Sequence, residues 1–289
     1  MSAAPLPSLS VKRARLIKTV LRRGIFTLLG VLACLPFIIP LIWMVSASLL
    51  TQLQVTASLT LIPTHPQWHN YADAITYFPA FQYALNTLEI AIPAALGTVL
   101  SSSWIAYGFS NLQWRGRDRV FLVVLGLMMI PGWVTLIPLY VTFVQIHWVN
   151  TYLPLIVPSW FGGSFYIFLF RQFFLRQPAE LLDAARMDGA NEPRIYLQIV
   201  LPLARPAVAV AAVFALVGSW TDYINPLIYL NDPSKYTLML GLASFKDDHV
   251  TYLNLLMAGS VIVIAPVFVL FLVMQRFFRE GLQLTGMVA

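Results

Sequence analysis

The chain has 289 residues, 59% of them hydrophobic and 10% charged, with a mean hydropathy of +0.76. Soluble domains carry about 25% charged residues, so the composition excludes a pair of globular domains and describes a polytopic membrane protein. The net charge is +6, but the basic residues follow topology and form no nucleic-acid patch, and the single cysteine, Cys34, excludes an intrachain disulfide.

Lys12, Arg13, Arg15, Lys18, Arg22 and Arg23 make residues 1–24 a basic N-terminus. An apolar run follows from Ile25 to about Leu50. Ser46-Ala47-Ser48 faintly resembles a signal-peptidase site, but the apolar core of a signal peptide is roughly 7–15 residues. The longer run here predicts an uncleaved first membrane helix, able to kink at Pro36 and Pro40. Residues 51–84 hold no Lys or Arg but contain Trp68 and Tyr71, so they read as an external loop with short interfacial helices. His65 and His69 stand four residues apart, but Pro66 intervenes and no acidic partner is evident, so no metal site is expected.

The second helix is predicted over about 85–109, with Glu89 one turn in, and a basic turn follows at Arg115, Arg117 and Arg119. The third spans about 120–144. Pro131 removes a backbone hydrogen bond inside it, which is either a plain kink or broken backbone lining a pathway. The fourth, about 152–174, is made irregular by Pro154, Pro158, Gly162 and Gly163. The fifth runs over about 207–230 and the sixth over about 256–278, with Pro266 inside. A second external loop, 231–252, lies between them and carries Asp232, Lys235, Lys246, Asp247 and Asp248.

Residues 178–206 form the longest polar island. Glu180, Asp183, Asp188 and Glu192 lie there beside Arg186, Arg194 and Arg205, more charge than lipid accepts. Pro178 and the early acidic residues suit a helix start. Gly189 suits a turn at positive φ. Asn191 suits the cap of a second helix with Pro193 in its first turn. Ile195, Ile199 and Leu203, at four-residue spacing, predict its apolar face. Local chemistry fits either a well-capped surface hairpin or a docking element.

The run Asp183-Ala184-Ala185, Asp188-Gly189-Ala190 and Leu201-Pro202 resembles the EAA loop of bacterial ABC importer permeases, with Asp183 where that family usually has Glu. Further segments are similar to its sugar-type members: IPTHPQWHNYADA, Asn86-Thr87, Met129-Ile130-Pro131, Ile137-Pro138-Leu139-Tyr140, Tyr236-Thr237-Leu238 with Gly241-Leu242, and the ending from Gln275-Arg276 through Gly281-Leu282 to Thr285-Gly286-Met287-Val288. In Trp220-Thr221-Asp222-Tyr223, Thr221 replaces the family's usual Asn. The resemblance implies an all-α, six-helix permease of type I ABC importer architecture, a single transmembrane domain over 25–289 with a coupling loop at 176–206. It also implies a second permease subunit, two ATP-binding subunits, an external solute-binding protein, and a di- or oligosaccharide or related polyol as solute. The implied ATPase-coupling residues are Glu180, Asp183, Ala184, Ala185, Asp188, Gly189, Ala190, Leu201 and Pro202. For the translocation path, Trp133, Trp160, Tyr166, Trp220, Asp222 and Tyr223 could stack on and hydrogen-bond a sugar; ordinary packing is the competing reading for each aromatic.

Sixteen of the 18 Lys and Arg residues fall on one side of the six predicted helices, the exceptions being Lys235 and Lys246. The positive-inside rule then puts both termini and the island in the cytoplasm of a bacterial inner-membrane protein. No G-x-x-x-x-G-K-[ST] run exists, so the chain itself is not expected to be an enzyme or to hold a cofactor, ATP and Mg²⁺ belonging to the partner ATPase. A stand-alone secondary transporter or channel is the alternative, and it lacks the ionisable groups near the midplane that ion coupling requires.

Overall fold

The computed structural model describes residues 9–57, 59, 61–246 and 251–283, with side chains described from Leu21 to Gln275 within those ranges. Asp247, Asp248 and the ending Thr285-Gly286-Met287-Val288 therefore lie outside the described residues. Among the described residues, four stretches are long and apolar enough to cross a membrane: Leu21–Ser48, Ala80–Ser110, Leu153–Phe174 and Leu253–Gln275. Two more are bent, Arg117–Leu127 with Gly132–Gln145 at 91° and Glu192–Leu203 with Arg205–Trp220 at 82°. Counting each bent pair once gives up to six spans among the described residues. Glu192–Leu203 belongs to the charged island, and the fifth segment differs from the expected 207–230: its helix covers Arg205–Trp220, breaks at 221–223 and resumes over Ile224–Tyr229. Among the described residues the β-pairing is confined to an isolated bridge between Lys246 and Thr251.

In chain order the helices are α1 (Leu9–Ser48), α2 (Gln52–Ala57), α3 (His69–Tyr77), α4 (Ala80–Ser110), α5 (Arg117–Leu127), α6 (Gly132–Gln145), α7 (Leu153–Ile156) and α8 (Ser164–Phe174). Then follow α9 (Ala179–Met187), α10 (Glu192–Ile195), α11 (Leu201–Leu203), α12 (Arg205–Trp220), α13 (Ile224–Tyr229), α14 (Leu238–Ala243) and α15 (Leu253–Gln283). Two short helices, α2 and α3, stand between the first two spans, where short helices are expected. The break expected at Pro131 separates α5 from α6, with Pro131 itself in extended conformation.

The body packs around α4. Its buried face is built of small residues, among them Ala91, Ala94, Gly97, Ser102, Ser103 and Ala106, which let neighbouring backbones come close where lipid supplies no hydrophobic drive between helices. At one end of α4, Tyr107 and Phe109 share a core with Phe170 and Phe174 of α8, Ile195, Tyr196 and Val200 of the polar island, and Ala207 and Ala211 of α12. At the other end Tyr83 packs with Trp220, Leu238, Leu242, Phe245 and Val263. The helix α1 meets the body at its C-terminal end, where Ala47 and Leu50 join Val55, Trp43, Leu253 and Met257. Its side chains from 21 to 42 are exposed.

Buried amides and hydroxyls close the helix ends. Asn70, 2% exposed, donates to the carbonyls of Ser48 (2.8 Å), the last residue of α1, and Leu50 (2.9 Å), just beyond it, which have no helical partner. Asn86 donates to the carbonyls of Ser234 and Tyr236, both at 2.9 Å, and the Thr87 hydroxyl accepts from the Leu238 N–H at 2.9 Å. The Asn-Tyr and Asn-Thr pairs noticed in the sequence are thus structural clips. One sequence expectation needs correction: His69 does have an acidic neighbour, since Asp73 lies one helical turn on with its carboxylate at 3.9 Å.

The second helix of the island also departs from expectation. Ile195 is fully buried and Ile199 half-buried, but Leu203 is 45% exposed. The buried positions are instead 195, 196, 200 and 204. A π-turn over Tyr196–Val200 inserts one residue, and the Leu201 N–H reaches back to the Tyr196 carbonyl. Pro202, next in line, has no N–H to offer the Gln198 carbonyl and its ring needs room there, so the turn before it widens and the inward face rotates past Leu203.

Candidate functional site

Two places carry polar chemistry, the island hairpin and a cleft in the helical body. The hairpin is rigid because each turn is closed by its own backbone. At the end of α9, Gly189 takes φ +79°. Its N–H bonds the Arg186 carbonyl and the Ala190 N–H bonds the Ala185 carbonyl, both at 3.0 Å, the paired geometry of a Schellman cap. Asn191 then caps α10 by accepting from the Arg194 N–H at 3.1 Å, with Pro193 in the first turn.

The hairpin residues divide by exposure. Glu180, Asp183, Ala184, Asp188 and Gly189 face outward, while Ala185, Ala190, Leu201 and Pro202 are half-buried. Of the two alanines expected to permit close approach, only Ala184 is on the outer surface; Ala185 packs against the core. Leu182 is the buried anchor of α9. Sequence reasoning missed Leu181 and Met187, which are 48% and 87% exposed and add an apolar element to the outer face. Met187 in a charged helix is the signal that could have found them.

Sequence reasoning also missed an ion-pair network behind that face. Arg186 donates to Glu192 and to Asp183, each at 3.0 Å, and to the Asn111 carbonyl at 3.4 Å. Hydrogen bonding to Glu192, with help from Asp183, holds its guanidinium above the ordinary arginine pKa. Glu192 also accepts from the Tyr107 hydroxyl of α4, and the Ser103 and Tyr196 hydroxyls share a bond of 2.7 Å. A neighbouring clip joins the basic turn to α8: Arg171 donates to Asp118 and to the Phe109 carbonyl, both at 3.2 Å, over the Phe121 ring.

The cleft has a volume of about 340 Å³ and forms where helices break. Its walls come from α4 (Ala94, Thr98), α6 (Leu139, Phe143), the broken fourth segment (Pro154, Pro158, Ser159, Tyr166) and the end of α12 with the break after it (Ser219, Asp222, Asn225, Tyr229). A second recess of about 300 Å³ shares Leu139, Asn225 and Tyr229 and adds Trp133 and Thr135. The carboxylate of Asp222 accepts from the Asn225 N–H (3.2 Å) and side-chain amide (2.8 Å), so it caps α13 while facing the cleft.

Of the six residues expected on the path, the structure brings Tyr166 and Asp222 together and sets Trp133 next door. Trp160, Trp220 and Tyr223 line neither recess. Trp220 is 7% exposed and donates its indole N–H to the Val263 carbonyl at 3.0 Å, a packing role. Trp160 lies against Gly97, where an added Cβ would come within 2.4 Å of its ring. Asn225, Tyr229 and Ser159 were missed, although Asn225 is an amide three residues past Asp222 in an otherwise apolar stretch. A further groove of about 520 Å³ between α12 and α15 is lined by apolar side chains such as Val208, Leu216, Leu270 and Met274, with Arg205 beside them, and has little to orient a hydroxylated solute.

Comparison with known proteins places this geometry. Residues 97–283 match the family described as "Binding-protein-dependent transport system inner membrane component". The chain is 36% identical to the arabinooligosaccharides transport system permease protein AraQ of Halalkalibacterium halodurans over 70% of this chain and 72% of that one. It is 31% identical to the lactose transport system permease protein LacG of Rhizobium radiobacter over 87% and 91%. The fold resembles a chain of a bacterial ABC transporter involved in the import of the acidic polysaccharide alginate, with a TM-score of 0.72 at 22% identity, covering 95% of this chain and 100% of that one. A match over well more than half its length, joined to this helical body, makes the chain a member of the binding-protein-dependent transport system inner membrane component family.

Proposed function

We propose that the chain is the permease subunit of an ATP-binding-cassette importer for a di- or oligosaccharide or a related polyol. Family membership supports the transport role, and the names of relatives that carry arabinooligosaccharides and lactose support the solute class. The observation that carries the coupling role is the rigid, doubly capped hairpin that presents Glu180, Asp183, Ala184 and Asp188 outward from an apolar body.

In this reading the hairpin and both termini lie in the cytoplasm, where 16 of the 18 basic residues then fall. The hairpin docks on one of two ATP-binding subunits, which hold ATP and Mg²⁺. The carboxylates supply charge-assisted contacts, while Leu181, Ala184 and Met187 supply an apolar one. A second permease subunit, most simply a different chain, completes the pathway, and a solute-binding protein docks at the far side. Closure of the ATPase dimer moves the hairpins and tilts the helical bodies between inward- and outward-facing states, a rigid-body switch biased by nucleotide. Solute passes the cleft of Tyr166, Asp222, Asn225 and Tyr229, where two tyrosine rings stand beside a carboxylate and an amide able to hydrogen-bond sugar hydroxyls.

The test is purification from mild detergent of the full chain and of a variant lacking residues 178–206, both expressed with candidate ATP-binding subunits. An ATPase subunit is expected to accompany the full chain and to be lost with the hairpin. Purification of the chain alone, with solute transport in vesicles free of ATP, would support the stand-alone transporter and put Asp222 first among candidates for ion coupling.

A further inference from the structure

We propose that Arg186 is a positioning residue that carries displacement of the hairpin into α4. The proposal rests on the docking role given to the hairpin above. Packing alone does not fix α9. A cavity of about 570 Å³ opens beneath it, bounded by Asn111, Gln113, Gln177, Leu182, Asp183 and Glu192. Leu182 is the buried side chain of α9 and Ala185 a half-buried one, so the helix rests on a narrow apolar strip beside a polar recess.

Arg186 bridges that space. Its planar fork holds Asp183 on its own helix, Glu192 across the Gly189 turn, and the Asn111 carbonyl just past the last turn of α4. Glu192 accepts from the Tyr107 hydroxyl, and the Tyr196 and Ser103 hydroxyls share a hydrogen bond. Residues 103, 107 and 111 stand at four-residue spacing, so the hairpin grips one line along α4. That same helix, unbroken from Ala80 to Ser110, lines the cleft with Ala94 and Thr98. From Thr98 to Tyr107 it rises about 13 Å. One rigid element thus joins the clasp to the solute path, and Arg186 is where α9 takes hold of it. A lysine can replace it only in part, since an ammonium lacks the planar fork that meets several acceptors at fixed angles.

The experiment uses the assembled transporter in lipid vesicles, with solute uptake and ATP hydrolysis measured together. Arg186→Ala is expected to lower solute moved per ATP by about tenfold, with Arg186→Lys between it and the unaltered protein. Tyr107→Phe should lower the same ratio on its own but add nothing in the Arg186→Ala background, because both act through Glu192. A purely structural role would reduce the amount of assembled complex and leave the ratio unchanged. An unchanged ratio in Arg186→Ala with the ATPase still attached overturns the proposal and leaves docking intact. Independent, additive effects of the two substitutions overturn it as well. If no ATPase accompanies the unaltered chain, the docking reading fails and the proposal fails with it. Should Arg186→Ala not assemble, Arg186→Lys and Tyr107→Phe, singly and together, give the same comparison.

Discussion

At position 97 a hydrogen atom is all that fits between α4 and the indole of Trp160. Gly97→Val is therefore expected to force the two helices apart at a cost of about 1–3 kcal/mol, seen as a lowered midpoint of thermal unfolding in detergent. Asn70→Ala tests a different term. It would leave the Ser48 and Leu50 carbonyls without the donors they now have, a loss of about 1–3 kcal/mol for each buried group left unpaired, and the same thermal assay should register it. Neither role was legible in the sequence. Gly97 sits in an alanine- and serine-rich stretch where any small residue reads alike, and the partners of Asn70 lie 20 and 22 residues away. Gly189 and Asn191 were legible because a helix cap is short-range chemistry: the carbonyls and N–H groups that demand it are within a few residues.

The hairpin shows how far such local reasoning extends for a whole element. Its two helices, the turn between them and the caps all follow from neighbours in the chain. The inward face of its second helix does not, because the π-turn depends on Pro202 and on Tyr196 reaching Ser103 of another helix. Gly189→Asp bears directly on the element as a lever. A side chain at φ +79° costs about 1–2 kcal/mol in backbone strain, and no atom lies within 4 Å of the added Cβ, so the body should still insert and fold. The expected result is continued ATP hydrolysis with lost uptake in vesicles; full uptake with normal coupling would sink the lever mechanism.

For the whole molecule, hydropathy located the apolar segments, since each is contiguous in the chain, but not the break in the fifth, which ends at Trp220 and resumes at Ile224 where one run to about 230 was expected. The cleft could not be read the same way. It forms where faces of several separate segments converge, and only the prolines at 154 and 158, Tyr166 and the acid at 222 marked it beforehand. The charge pattern makes a sharp prediction about sidedness. With Cys34→Ser as background, Asp188→Cys and Lys235→Cys should react with a membrane-impermeant maleimide from opposite faces of sealed vesicles. Labelling of both from one face would overturn the proposed topology.

The attachment of α1 to the body through its C-terminal end alone has its own consequence. From residue 21 to 42 its side chains are exposed and none belongs to the core around α4. The folding of that core is thus modular with respect to this helix. A chain beginning near Trp43 should keep the clasp, the cleft and the melting behaviour of the remaining five segments, while losing whatever grip the free spar provides on its surroundings.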